Sequence, residues 1–368
     1  MSQNVRGFKW LVGGIVGVSL LGACGAPMEG EDASQQLSEQ AVGDIAVSLS
    51  VASASLSAHE DVAVTVTYTN VSSQPVQLLK WYVPGSESVP AGLFQVTRDG
   101  EAVAYMGPEV KRVAPRAEDF ITLAPGESLS RTAPLSGFYD LSASGTYSVR
   151  FAAQAVNQHN VVLTRTAALD SNLVSMFIEG RSSRQPGLQE QGTVTAQGIS
   201  SASNCSSSRA STITTAYNSA KTYASNATSY LSTLSSGTLR YTTWFGTYSS
   251  GGKDTAYSHF SKINSALSAQ NVTVDCSCTD SGTYAYVYPN SPYKIYVCGA
   301  FWAAPNTGTD SRAGTLIHEM SHFTVLGGTD DHVYGQSGAK NLAKTSPTKA
   351  LDNADNHEYF AENNPAQN

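Results

Sequence analysis

Residues 314–335 read GTLIHEMSHFTVLGGTDDHVYG. The chain holds 7 histidines in 368 residues, and His318, His322 and His332 all stand in this one stretch. Its first half is His318-Glu319-Met320-Ser321-His322, an H-E-x-x-H pattern. On a helix, residues four apart project from one face. Two imidazoles so placed can bind one zinc ion, and the glutamate beside the first can reach a water at the same point. Leu316, Ile317, Met320 and Phe323 would give the helix its apolar cover, and Ser311 can cap its start. The spacing predicts a helix over 311–325.

A catalytic zinc ion takes three protein ligands and keeps one position open. A metzincin would need Gly at 325 and His at 328, but Val325 and Gly328 stand there. Two candidates remain for the third ligand. Glu358 would come from a later, short helix, as in gluzincins. Asp331 lies nine residues beyond His322, and the Gly327-Gly328 pair breaks the helix and lets the chain turn back. Tyr334, three residues further on, would point into the same site.

The length suggests two domains, and 41 % apolar with 9 % aromatic residues is enough for real cores. A net charge of −7 argues against a nucleic-acid partner and leaves cationic substrates open. Arg6 and Lys9 precede an apolar run, Trp10 to Leu21, that is followed by Gly22-Ala23-Cys24. This pattern describes a signal peptide, too short to be a comfortable transmembrane helix. The Leu-x-Ala-Cys ending resembles a bacterial lipobox, in which Cys24 is acylated. The expectation is an exported chain, lipid-anchored at the cell envelope as a precursor or secreted after maturation, with no other membrane contact. Setting Cys24 aside leaves Cys205, Cys276, Cys278 and Cys298, an even number of the 5 cysteines. In an exported domain these are expected as disulfides, with three pairings open. A Cys276–Cys278 bond would be strained. A four-thiolate zinc site would want paired spacings that this pattern lacks.

Residues 1–24 thus read as a signal segment and 25–43 as a small, polar tether. Residues 44–179 read as β. Val62 to Tyr68 alternates with period two and runs into Thr69-Asn70, Phe120 to Leu123 precedes the turn Ala124-Pro125-Gly126-Glu127, and Gly145 to Phe151 is a further strand. Short strands separated by turns predict an immunoglobulin-like β-sandwich. Residues 180–201 read as an exposed linker. From 202 to 368 the pattern is α+β and mainly helical. Helices are expected over Ser206 to Leu234, Asp254 to Ala269 with Asp254 as N-cap, Ala339 to Ala343 and Asp355 to Ala361. Strands are expected over Tyr241 to Phe245, Tyr284 to Tyr288 and Lys294 to Val297.

Gly328-Thr329-Asp330-Asp331-His332-Val333-Tyr334-Gly335 fits G-T-x-D-x-x-Y-G, and here the chain resembles the aspzincins, the deuterolysin-type metallopeptidases. The resemblance implies that Asp331 is the third zinc ligand and that Tyr334 stabilises the transition state. Asp330 and His332 fall at free positions, and His332 is expected to be a surface polar residue. Asn353-Ala354-Asp355-Asn356-His357-Glu358-Tyr359-Phe360 is similar to the specificity segment of the peptidyl-Lys metalloendopeptidase branch. That implies an S1′ pocket in which Asp355 and Glu358 hold a lysine ammonium. The cysteine pattern is similar to that branch's two disulfides, which favours Cys205–Cys276 with Cys278–Cys298. Tyr241-Thr-Thr-Trp244-Phe245-Gly246 and Cys298-Gly-Ala-Phe-Trp302 belong to the same resemblance, which covers residues 202–368 only.

The pocket makes physical sense. Two carboxylates sharing a closed space repel each other unless a cation enters. Lysine's compact ammonium on a long stem suits a narrow pocket better than arginine's planar head. The expected protein is therefore a monomeric endopeptidase with one zinc ion per chain, Glu319 as general base, and protein or peptide substrates cut on the N-terminal side of lysine. A broader-specificity aspzincin and a non-catalytic surface lipoprotein are the alternatives; an intact Glu319 argues against the second. The β-region, which has no cysteine to block a zinc ion, is expected to be a prodomain. No lysine lies between Lys111 and Lys221, so a lysine-specific enzyme could not cut its own linker, where Arg181 and Arg184 are the basic sites.

Overall fold

The computed structural model describes residues 44–153, 169–182 and 202–368. Cys24, the tether 25–43, and residues 183–201 of the expected linker, Arg184 among them, lie outside the described residues.

The N-terminal part is β-rich. Its strands are β1 (Ile45–Ser50), β2 (Ser55–Leu56), β3 (Ala63–Asn70), β4 (Val76–Leu79), β5 (Phe94–Arg98), β6 (Glu101–Ala102), β7 (Glu109–Arg112), β8 (Phe120–Leu123), β9 (Ser128–Pro134), β10 (Gly145–Ala153) and β11 (Leu169–Ile178). The period-two pattern does what it should: along β3, Val64, Val66 and Tyr68 are buried and the residues between them are half-exposed. The sheets run in the orders β1-β3-β9, β2-β11-β10-β5-β6 and β4-β8. They enclose one apolar core, in which Phe151 meets Tyr68 and Phe94 edge-on at 5.6 and 5.5 Å. Thr69-Asn70, expected as a turn, ends β3, with the buried Asn70 amide donating to the carbonyls of Gln74 and Leu123.

The C-terminal part contains β12 (Ala202–Ser203), α1 (Ser207–Thr233), α2 (Leu239–Phe245), α3 (Ser250–Ala269), β13 (Thr273–Asp275), β14 (Thr283–Val287), β15 (Lys294–Val297), α4 (Gly299–Ala303), α5 (Arg312–His322), α6 (Gly335–Thr345), α7 (Pro347–Leu351) and α8 (Ala354–Glu362). In α1, Ala216, Ala220, Ala224 and Ala227 line one face and are fully buried, so neighbouring helices can approach closely. Both disulfides pair as favoured, Cys205–Cys276 and Cys278–Cys298, and tie β13 and the start of α4 to their surroundings.

Three local expectations are corrected. Residues 241–245 form helix α2, not a strand. Thr238 caps it, Gly246 ends it at φ 77°, and Tyr241, Trp244 and Phe245 fall on a buried face at helical spacing, which outweighs the β-preference of Thr242-Thr243. Helix α3 starts at Ser250, capped by Ser249 rather than Asp254, with Gly251 and Gly252 in its first turn. Helix α5 stops at His322, because the chain folds back there and Gly328 N–H donates to the Phe323 carbonyl.

One strand of the region expected as a β-sandwich pairs outside it. β7, from within residues 44–179, is the outer strand of the C-terminal sheet, whose order is β12-β13-β15-β14-β7. It pairs antiparallel with β14.

Candidate active site

Helix α5 carries the first half of the site. Ser311 caps it, accepting from Gly314 N–H, and every residue from Ala313 to His322 is buried. Gly314 allows helix α8 to lie against it: a Cβ there would meet Glu362 Oε1 at 2.1 Å and Glu358 Cγ at 3.0 Å. His318 and His322 share one face, their ring centroids 4.9 Å apart.

The chain then reverses. Gly328 takes φ 63°, a left-handed conformation that favours glycine. Thr329 N–H donates to the Ser321 carbonyl, and the Thr329 and Ser321 hydroxyls meet at 2.7 Å. This returns Asp331 to the histidines. Its Oδ1 lies 3.2 Å from His318 Nε2 and 3.6 Å from His322 Nε2. Asn353, at the start of α8, pins the returning loop: its side-chain oxygen accepts from the His332 and Val333 N–H groups, and its amide donates to the Val333 carbonyl. The Tyr334 hydroxyl lies 2.9 Å from Asp331 Oδ2. His332 is not a bare surface residue but half-buried, with Nε2 2.9 Å from Asp352 Oδ2.

Helix α8 brings up the second half. Asp355 and Glu358 are buried to 1 % and 0 % exposure. Between them lies an ammonium group. Lys111 Nζ, from β7, is 3.0 Å from Asp355 Oδ1 and 2.6 Å from Glu358 Oε2, and only 2 % of its side chain is exposed. The rings of Tyr284 and Tyr359 flank Nζ at 5.3 and 6.0 Å. Asp355 also accepts from Gly335 N–H and lies 2.9 Å from His318 Nδ1, so pocket and histidine pair share a carboxylate. Sequence reasoning did not find Lys111, Tyr284 or Asn353 as site residues. Asn353 opens the quoted specificity segment, but no spacing rule marks the other two, which reach the site from separate strands.

The family aspzincin M35, described as lysine-specific metallo-endopeptidase, matches residues 230–362. An extracellular protease of Aeromonas hydrophila is 46 % identical over 315 residues, spanning 84 % of this chain and 90 % of that protein. This chain is an aspzincin. A peptidyl-Lys metalloendopeptidase of Grifola frondosa is 39 % identical over 316 residues, spanning 83 % and 88 %. The solved zinc peptidase from Grifola frondosa has 53 % identity, covers 45 % of this chain and all of its own, and gives a TM-score of 0.43. The protein is a zinc metalloendopeptidase.

The donor set of this aspzincin suits zinc. His318 Nε2, His322 Nε2 and Asp331 Oδ1 are buried and have no hydrogen-bond partner among the described residues. Donors on a tetrahedral zinc ion with bonds of about 2.0–2.2 Å sit roughly 3.3–3.6 Å apart, and the two edges that meet at Asp331 Oδ1 are 3.2 and 3.6 Å. His322 Nδ1 lies 2.6 Å from the Thr329 carbonyl oxygen, which holds the proton on Nδ1 and turns the Nε2 lone pair to the site. Burial lowers the His322 imidazole to about 4, so it is neutral. Burial opposes charge on His318, yet the Asp331 carboxylate draws its pKa well above the usual range. Asp331 itself is lowered, the two imidazoles outweighing burial. Both Glu319 oxygens are buried without a partner among the described residues, and burial raises this carboxyl to about 8.

In the pocket, burial alone would discharge Lys111, but Asp355 and Glu358 reverse the effect and hold it well above the usual lysine range. Asp355 is lowered in turn, Lys111 and His318 outweighing burial. Burial pushes Glu358 upward while Lys111 opposes it.

Proposed function

We propose that this aspzincin is an exported endopeptidase that cuts on the N-terminal side of lysine, with Asp355 and Glu358 holding the substrate's ammonium in S1′. The observation that carries the reading is the lysine already there: Lys111 Nζ lies within 3.0 Å of both carboxylates in a pocket closed by Tyr284 and Tyr359. Two buried carboxylates without a cation would be costly, so the pocket is built for one. The names of its relatives, peptidyl-Lys metalloendopeptidase and extracellular protease, support the same reading. So do two disulfides, which fit an oxidising compartment. A lipid anchor on Cys24, an immunoglobulin-like prodomain over 44–179 and a peptidase domain over 202–368 complete it.

His318, His322 and Asp331 would hold the zinc ion, which supplies a Lewis acid and a more acidic water. The other tasks fall to the protein's own groups. Glu319, beside that site, takes the proton of the attacking water and returns it to the leaving amine. The Tyr334 hydroxyl donates to the carbonyl oxygen of the residue before the lysine, where negative charge develops. Asp355 and Glu358 fix the lysine side chain and so the register of the bond.

The test is mass spectrometry of the peptides released from a denatured protein. New N-termini should begin with lysine and should vanish when a chelator is added. Termini spread over arginine and apolar residues would defeat the specificity, and chelator-resistant cleavage would defeat the metal site.

A further inference from the structure

The occupant of the pocket is part of a strand that lies as a substrate would. β7 runs antiparallel to β14, with Lys111 opposite Ala285, Val110 opposite Tyr286 and Glu109 opposite Val287. Just beyond the strand, Val113 N–H donates to the Gly282 carbonyl at 2.9 Å. Without β7, β14 would be the edge of its sheet, and an open edge is a template for an extended peptide. The carbonyl immediately before the pocket lysine is that of Val110, and its oxygen accepts from the Tyr334 hydroxyl at 2.8 Å. One strand therefore satisfies the lysine pocket, the sheet edge and the carbonyl donor together, in the register that cleavage before lysine requires.

We propose that β7 is this enzyme's first substrate: it closes the cleft by filling it as a lysine peptide would, and the Val110–Lys111 bond of the same chain is the bond hydrolysed when processing begins. The inference rests on the lysine specificity proposed above. One water is consumed. Its oxygen bonds to the Val110 carbonyl carbon, the C–N bond to Lys111 breaks, and a water proton passes through Glu319 to the Lys111 nitrogen. No other reactant is needed.

The cut does not by itself release the region. β3 pairs with β9, and β5 with β10, across the position of the cut, so the two pieces stay in shared sheets. The absence of lysine between Lys111 and Lys221 keeps lysine-directed cutting out of residues 180–201, so removal of the whole region needs a second protease there.

The test uses the full chain, purified with chelator and then given zinc. A new N-terminus at Lys111 should form at a rate independent of protein concentration, with fragments separating only on denaturing gels. Lys111→Met, which keeps the stem and loses the charge, should abolish it, and a circular dichroism spectrum unchanged from wild type guards against a folding defect. A second arm needs no turnover. In full-length Glu319→Gln protein, a fluorescent lysine-containing peptide should bind roughly tenfold or more tightly once Lys111→Met is added, because a tethered competitor has been removed. A zinc-loaded enzyme that cuts an added lysine peptide but leaves Val110–Lys111 intact would overturn the inference while the specificity stood. Equal peptide binding with and without Lys111 would overturn it whatever the turnover. If neither the peptide nor the chain is cut, the proposed reaction is wrong, and the binding arm alone decides whether β7 fills the cleft.

Discussion

Glu319 sits beside one member of the donor set, buried, with both oxygens free of hydrogen bonds among the described residues. A carboxylate in such a place is poorly solvated and so more basic than usual. Glu319→Gln keeps the shape and loses the base. It should retain about one zinc per chain by atomic absorption and lose about 10²- to 10⁴-fold in kcat. Turnover equal to wild type would remove Glu319 from the reaction. His318, Glu319 and His322 were legible because i, i+4 spacing on a helix dictates a shared face. Asp331 was left beside Glu358 by spacing alone and was singled out by the G-T-x-D-x-x-Y-G match; the Gly328 turn and the Asn353 clamp bring it to the histidines. Glu358 instead pairs with Lys111, its Oε2 2.6 Å from Nζ. Lys111 carried no local signal, since its partner Asp355 is 244 residues away.

Among elements, periodicity served best where the buried face was wide, as in α1, β3 and α5, and failed in α2. That helix has only seven residues, and tertiary burial of three aromatics decides its conformation. Short pieces of chain carry too few periods for the pattern to win over propensity. β13 offers a test of pH-dependent stability. Burial disfavours the Asp275 carboxylate, but hydrogen bonds from Ser277, Asn204 and Ser203 outweigh it and lower the carboxyl to about 2. A folded-state pKa below the unfolded value of about 3.9 stabilises the protein above the unfolded pKa. That contribution disappears as pH falls through about 2. Asp275→Asn should therefore cost about 1–2 kcal/mol at pH 7. In urea unfolding the gap should narrow as pH drops from about 4 and close near 2. A gap that stays constant with pH would show that the charge is not what matters.

At the scale of the molecule there are two cores, and β7 runs from the first region into the sheet of the second, carrying the buried Lys111 with it. The C-terminal core encloses the three convergent donors, so zinc bound there should favour the folded state. At a thousandfold excess over the dissociation constant the gain is about 4 kcal/mol, which for a domain of this size is roughly 10 °C in Tm. Calorimetry with and without chelator measures it; an unchanged transition would mean that the donors do not grip the metal. The sequence by itself determined the helical face that bears His318 and His322, the Asp331 to Tyr334 signature and the carboxylate pair of α8, because these are short-range patterns read through helix geometry and a local motif. Only the tertiary structure decided that β7 crosses to the other region's sheet and seats Lys111 between Asp355 and Glu358. Pairing along an open sheet edge and the compensation of buried charge depend on proximity in space, and separation along the chain does not record it.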